Sequence, residues 1–242
     1  MKEVRFFYTP EASERHELPE EEAKHAVRVL RLKDGDGIYL VDGMGGLFEA
    51  VVTMVSSKHC MYEIVRRIDK QKEWRGSIHL AIAPTKMMER MEWMTEKATE
   101  IGFDEISFLG CQFSERKTLR EDRIERIVVS AMKQSHKATK PIVNKMVSFA
   151  DFVSQPRPGR LYIAHCYDEI ERKDLYDELM SVETDVPVTV LVGPEGDFSV
   201  DEVRLAISKG YMPVSLGQCR LRTETAGLSA VMMANLSKRY HQ

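Results

Sequence analysis

The sequence predicts an α/β protein whose main sheet is largely parallel, preceded by a smaller unit of short strands. Three observations carry that prediction. From Ser77 onwards, apolar strand-like runs alternate with stretches of helical period. Before about residue 70 the runs are short and separated by glycine turns. Between the two regions Asp69–Arg75 is polar and charged, as a linker would be. The expected domains are residues 1–70 and 76–242.

In the first domain Phe6-Phe7-Tyr8 reads as a strand. Glu20–Arg31 is acidic at its start and basic at its end, which suits a helix dipole, and Ala23, Val27 and Leu30 form one apolar stripe. Gly35-Asp36-Gly37 marks a turn before the strand Ile38–Val41. Asp42-Gly43-Met44-Gly45-Gly46 is a tight hairpin signal before Leu47–Val55, and Met61–Val65 supplies another strand. Short strands joined by glycine turns suggest a small barrel.

The second domain opens with the strand Ser77–Ala83 and the helix Lys86–Ile101, closed by Gly102. Ile106–Leu109 is the next strand and Arg120–Lys137 the next helix, stopped by Pro141. Leu161–Ala164, the helix Glu169–Met180 and the strand Val186–Val192 follow. Ser199 is a good N-cap, with Glu202 completing a capping box. After the strand Met212–Leu216, Thr223 can cap a helix on which Leu228, Val231, Met232 and Leu236 recur at helical spacing.

The chain has 242 residues, 43% hydrophobic and 30% charged, enough to bury a core and remain soluble. It contains no apolar run long enough to span a membrane, and Met1-Lys2-Glu3-Val4-Arg5 lacks a signal-peptide core. Cys60, Cys111, Cys166 and Cys219 are widely spaced, which reads as reduced thiols in the cytoplasm. His16, His25, His59, His79, His136 and His241 show no metal-ligand spacing, so no metal is expected. Net charge is −3, which argues against bulk electrostatic binding of nucleic acid. Glu115–Lys145 nonetheless carries nine Lys/Arg against four Asp/Glu. A solvated helix face and a substrate-facing surface both fit that run.

The chemistry is concentrated in two glycine-bearing loops, Leu191–Ser199 and Leu216–Ala226, each between a strand and a helix. Two strand–loop–helix units this close are expected to put both loops at the carboxyl ends of neighbouring strands, where open α/β sheets bind ligands. Ordinary turns fit the same residues. A phosphate loop does not, because no Gly-Lys-Ser/Thr follows the first glycines.

Gly193-Pro194-Glu195-Gly196 and Leu221-Arg222-Thr223-Glu224-Thr225-Ala226, in this order, resemble the carboxyl-terminal signature of the RsmE family. These are SPOUT-superfamily enzymes that methylate N3 of a uracil in small-subunit ribosomal RNA. Asp197 stands where the family usually has a second glycine. His25–Arg31 with Lys33-Asp34-Gly35-Asp36, Lys97–Gly102, and Ala131 with Gln134-Ser135 are similar to further family segments. The resemblance implies a PUA-like barrel followed by a SPOUT domain with a carboxyl-terminal trefoil knot. It also implies S-adenosylmethionine as donor, 16S rRNA within an assembled small subunit as partner, and a homodimer.

On that reading the donor pocket is expected at Ala164, His165, Val192, Gly193, Pro194, Glu195, Gly196, Leu216, Gly217, Gln218, Leu221 and Thr225. Glycine loops let backbone groups reach an adenine edge. Uracil N3 carries a proton at neutral pH, and its loss spreads charge onto O2 and O4. Arg222 is the candidate to stabilise that charge; an ion pair with Glu224 or Glu195 is the alternative. Either glutamate fits a proton acceptor or a loop anchor. Arg5, Arg28, Arg31, Arg116, Lys133 and Lys137 are the candidates for RNA contact. Arg28 and Arg31 are expected on one helical face, contacting phosphates or surface glutamates. Two rivals stay open: a SPOUT methyltransferase for another ribosomal or transfer RNA position, and a non-catalytic RNA-binding factor.

Overall fold

The computed structural model describes residues 5–239, so Met1–Val4 and His241 lie outside the described residues. The chain forms two compact units. One comprises residues up to Lys72 together with Val129–Lys140, and the other Glu73–Val128 together with the chain from Pro141 onwards. The first boundary falls inside the charged stretch Asp69–Arg75.

The first unit holds β1 (Phe6–Tyr8), α1 (Glu20–Arg28), β2 (Gly37–Val41), β3 (Gly46–Val55) and β4 (Cys60–Asp69). They form one four-stranded sheet in the order β1-β2-β3-β4, parallel at the first pairing and antiparallel at the others. Ile38, Leu40, Phe48, Ala50 and Val52 alternate inward and pack with Phe7 and with Ala23 and Ala26 of α1. The β2–β3 hairpin is fixed by Asp42, whose Oδ1 accepts from Met44 N (2.7 Å) and Gly46 N (2.9 Å). Helix α1 stops at Arg28, three residues short of the expectation, because buried Leu32 draws the chain back into the core. Arg31 turns through a left-handed φ of 52°, so Arg28 and Arg31 do not share a helical face.

The second unit continues with β5 (Ile78–Ile82), α2 (Met88–Ile101), β6 (Glu105–Gly110) and α3 (Glu121–Gln134). Short strands β7 (Ile142–Val143) and β8 (Val147–Ser148) lead into α4 (Phe149–Ser154) and β9 (Arg160–Ala164). Then come β10 (Lys173–Asp174), α5 (Leu175–Met180), β11 (Val188–Val192), α6 (Val200–Ser208), β12 (Met212–Ser215) and α7 (Thr223–Lys238). The strands run β10-β12-β9-β11-β5-β6-β7, with β8 beside β6, and every pairing is parallel. β11 and β12 are therefore not neighbours, as the two loops suggested: β9 lies between them.

Several boundaries moved for physical reasons. Helix α3 ends at Gln134, well before Pro141, in a Schellman turn: His136 takes φ 55°, His136 N reaches Lys133 O and Lys137 N reaches Met132 O. Its last turn belongs to the first unit because Met132 and Ala138 share an apolar cluster with Val41 and Leu47. The expected helix Glu169–Met180 shrinks to α5, capped by Asp174. Helix α4, capped by Ser148, had no counterpart in the sequence reading. The Ser199–Glu202 capping box is formed in full. Thr223 does not cap α7; Arg222 holds the N-cap position without a side-chain bond. The buried face of α7 is also rotated from the expected stripe, running through Gly227, Ala230, Val231, Ala234 and Asn235. Small residues there let the helix approach the sheet, while Met232 (37%) and Leu236 (42%) remain exposed.

Candidate functional site

Three parallel strands deliver three loops to one place. β9 ends in Ala164-His165-Cys166, β11 in Gly193–Asp197 and β12 in Leu216–Arg222, and together with Arg90 of α2 they line a cavity of about 430 Å³. That size and a largely apolar lining with few polar groups suit a small organic ligand. Because β9 stands between the other two strands, its loop forms the floor across which the glycine loops face each other.

Of the expected donor residues, Ala164, His165, Val192, Gly193, Pro194, Glu195, Leu216, Gly217 and Leu221 line this cavity. Gly196 and Gln218 line a second cavity, which shares Cys166, Asp197 and Gly217 with the first. Thr225 is exposed on α7 and lines neither. The structure adds Arg90, Cys166, Arg172, Asp197, Cys219 and Arg220 to the wall. Of these, Asp197 departs from a glycine pattern and Cys219 and Arg220 lie within the second glycine-bearing loop, whereas Arg90, Cys166 and Arg172 carry no site signal in the sequence.

Asp197 has φ 66°, the left-handed region that glycine enters without penalty. The carboxylate compensates. Its Oδ1 accepts from Phe198 N (2.7 Å) and its Oδ2 from Cys166 N (2.8 Å), tying the β11 loop to the β9 loop. Tyr167 adds a second tie by donating its hydroxyl to Phe198 O at 2.6 Å. Arg172 braces the same corner through His165 O and Asp168 (both 2.9 Å). The glycines serve the other loop edges: a Cβ on Gly193 would lie 3.0 Å from Phe198 N, and Gly217 sits at φ 108°.

The ionisable groups divide by environment. His165 is buried, its Nδ1 accepts from Tyr167 N at 3.2 Å, and burial holds its pKa below the usual value. Burial and the Asp197 charge push the Cys166 thiol up. Glu195 anchors a loop by accepting from Lys86 N (2.9 Å). Glu224 is buried with Arg90 3.7 Å away. Neither glutamate pairs with Arg222. Among the described residues no carboxylate stands within ion-pair distance of Arg222, which is exposed and lines the cavity.

The basic residues expected to meet RNA are differently placed. Arg28 and Arg31 are exposed. Arg5 pairs with Asp36 at 3.2 Å. Arg116 clasps Thr85 O (3.0 Å) and Lys86 O (2.5 Å), which props the start of α2. Lys133 is paired with Glu22 at 2.5 Å and mostly buried. Lys137 is half-buried just beyond the end of α3. Among the described residues no group of His, Cys, Asp and Glu could hold a metal, and no helix is long and apolar enough to cross a membrane.

Fold and site together define an α/β protein that holds a small ligand at the carboxyl ends of parallel strands. An RNA methyltransferase domain matches residues 72–235, and an RNA methyltransferase PUA domain matches residues 18–61. A ribosomal RNA small subunit methyltransferase E from Synechocystis is 30% identical over 86% of this chain and 68% of its own length. A crystal structure described as a probable rRNA-methyltransferase from Porphyromonas gingivalis is 41% identical, with a TM-score of 0.89 over 97% of this chain and 98% of that one. The structure of a ribosomal RNA small subunit methyltransferase E from Neisseria gonorrhoeae bound to S-adenosyl methionine is 26% identical, with a TM-score of 0.80 over 95% of both chains. The chain belongs to the ribosomal RNA small subunit methyltransferase E family.

Proposed function

We propose that this protein transfers a methyl group from S-adenosylmethionine to N3 of a uridine in 16S rRNA. The observation that carries the chemistry is the Arg222 guanidinium, which meets no carboxylate among the described residues, on the wall of a cavity built from glycine loops. When bound, the donor's sulfonium supplies an electrophilic methyl, so the protein's task is to orient two reactants and manage one proton.

The residues present fit that donor. Backbone of the Gly193 and Gly217 loops can reach polar edges, while Val192, Leu216, Leu221 and Ala226 offer apolar contact. Arg222 stabilises the charge that spreads over O2 and O4 as the N3 proton leaves. Glu195 keeps one oxygen on Lys86 N and is exposed, which supports it as the acceptor of that proton. Glu224 is the alternative acceptor, though its burial beside Arg90 favours a supporting role. N3 lies on the pairing edge, so the base must be unpaired or turned out.

The same reading makes the first unit a PUA-like barrel for RNA, residues 1–70, and the second a SPOUT domain, residues 76–242, whose α7 completes a trefoil knot. It makes the working form a cytoplasmic homodimer acting on the assembled small subunit. Trp93 (48%), Met232 and Leu236 on the packed pair α2 and α7 are exposed apolar side chains suited to a second copy. Mass spectrometry of 16S rRNA from a deletion strain, with and without the restored gene, tests the assignment. Unmethylated uridine restored only by the active gene is the expected result, and an unchanged modification pattern refutes it.

A further inference from the structure

The first unit carries a three-ring stack for which methyl transfer has no use. Phe6 on the edge strand β1 stacks on Tyr39 of β2, with centroids 5.3 Å apart and planes at 19°. It also stacks on His136, at 4.4 Å and 14°. Two near-parallel rings this close occupy the two faces of Phe6. Phe6 and Tyr39 are half-buried, whereas His136 is exposed. One face of the imidazole lies against Phe6, and the residue as a whole is exposed.

The backbone presents this ring rigidly. His136 holds its left-handed φ of 55° through the Schellman bonds that end α3, and Lys70 donates to its carbonyl. The following residues are fastened to the β2–β3 hairpin by Gly45 N to Ala138 O (3.0 Å) and Lys140 N to Gly43 O (2.9 Å). A ring fixed before its ligand arrives loses little freedom on binding. Lys70 donates its Nζ to the His136 carbonyl, and Arg5, paired with Asp36, and Lys137 stand next to Phe6 and His136 in the chain.

We propose that this stack receives an unpaired base of the RNA substrate, the outer face of His136 taking the base and the neighbouring cations its phosphates. An exposed aromatic face within a basic border is how single-stranded nucleic acid is held without reading its sequence. The proposal rests on the RNA-modifying function above.

The test is fluorescence anisotropy of the full-length protein with a labelled single-stranded RNA of roughly a dozen nucleotides, and with the same backbone carrying abasic sites. Wild-type protein should prefer the base-bearing RNA by about ten-fold or more. His136→Asn removes the ring but keeps a residue that tolerates the left-handed backbone, and should abolish that preference. His136→Phe should restore it, and the salt dependence should be the same in all three. Melting temperature and S-adenosylmethionine affinity confirm that each variant is folded. The proposal is overturned if His136→Asn keeps the preference, or if it weakens binding to both RNAs equally. Failure of folded His136→Phe to restore the preference also overturns it. A wild-type protein that binds neither RNA and methylates none would instead sink the RNA-modifying function itself.

Discussion

At the scale of single residues, Arg222 and Asp197 make opposite demands. Arg222 has no carboxylate partner among the described residues, which leaves its charge available to a substrate. If it acts on the developing uracil anion, Arg222→Ala should slow single-turnover methylation by about 10²-fold or more, with small changes in donor and RNA dissociation constants. Lys at this position should recover part of the rate, and higher pH should partly rescue the alanine variant. Loss of donor binding in Arg222→Ala would instead place the residue in the donor pocket. Asp197 is fully engaged, with two backbone N–H groups on its carboxylate and a left-handed backbone. Asp197→Ala forfeits both bonds and keeps a Cβ at positive φ, whereas Asp197→Gly forfeits the bonds alone. The alanine variant should melt at the lower temperature, by several degrees, the backbone penalty being about 1 kcal/mol. Both should bind S-adenosylmethionine more weakly, because the Cys166 loop is untied. Equal melting of the two variants would show that the positive φ carries no cost here.

At the scale of elements, strands β5 and β6 carry a titratable liability at their amino-terminal ends. His79 is buried, its Nε2 lies 2.9 Å from Ser107 Oγ, and burial lowers its pKa to about 3. An unfolded histidine titrates near 6.5. Between those values the unfolded chain holds the extra proton. Stability is therefore complete above about pH 6.5 and falls as pH decreases toward 3, by up to about 1.4 kcal/mol per unit. Urea unfolding across pH 4 to 7 should show this slope, and His79→Gln should flatten it. An unaltered slope in the variant would assign the acid sensitivity to carboxylates alone. Much at this scale was legible in advance. Glycine turns, the capping box and the alternation of apolar runs are local signals, and the corresponding elements formed, although β4 extends to Asp69 and several helices are shorter than expected. Sheet order was not, because nothing in Val188–Val192 or Met212–Ser215 encodes that β9 comes between them. The same holds for Arg90 and Arg172, which reach the cavity from a helix and a connection whose sequences look merely polar. The buried face of α7 is not legible from its largest apolar residues, because small residues allow it to sit close to the sheet.

At the scale of the molecule, exposed apolar side chains bear on assembly. A second copy covering Trp93 and Leu236 would remove them from water. Sedimentation should show a dimer for the native protein. Trp93→Lys combined with Leu236→Glu should give a folded monomer with strongly reduced methylation. A double variant that stays dimeric would move the interface elsewhere.

The interposition of β9 between β11 and β12 also sets a schedule. Ala164 pairs with Val192 on one side and Val214 on the other, so the cavity joins stretches of chain far apart in order of synthesis. Contacts between distant segments form slowly, since long loops must close before any contact rewards them. Thr223 and Ala226 of α7 also line the cavity, so its wall needs that helix in place. In refolding, the backbone signal of the helices should return first and ligand affinity afterwards, with a measurable lag. The emerging polypeptide is thus silent as a catalyst until its final helix has found its place.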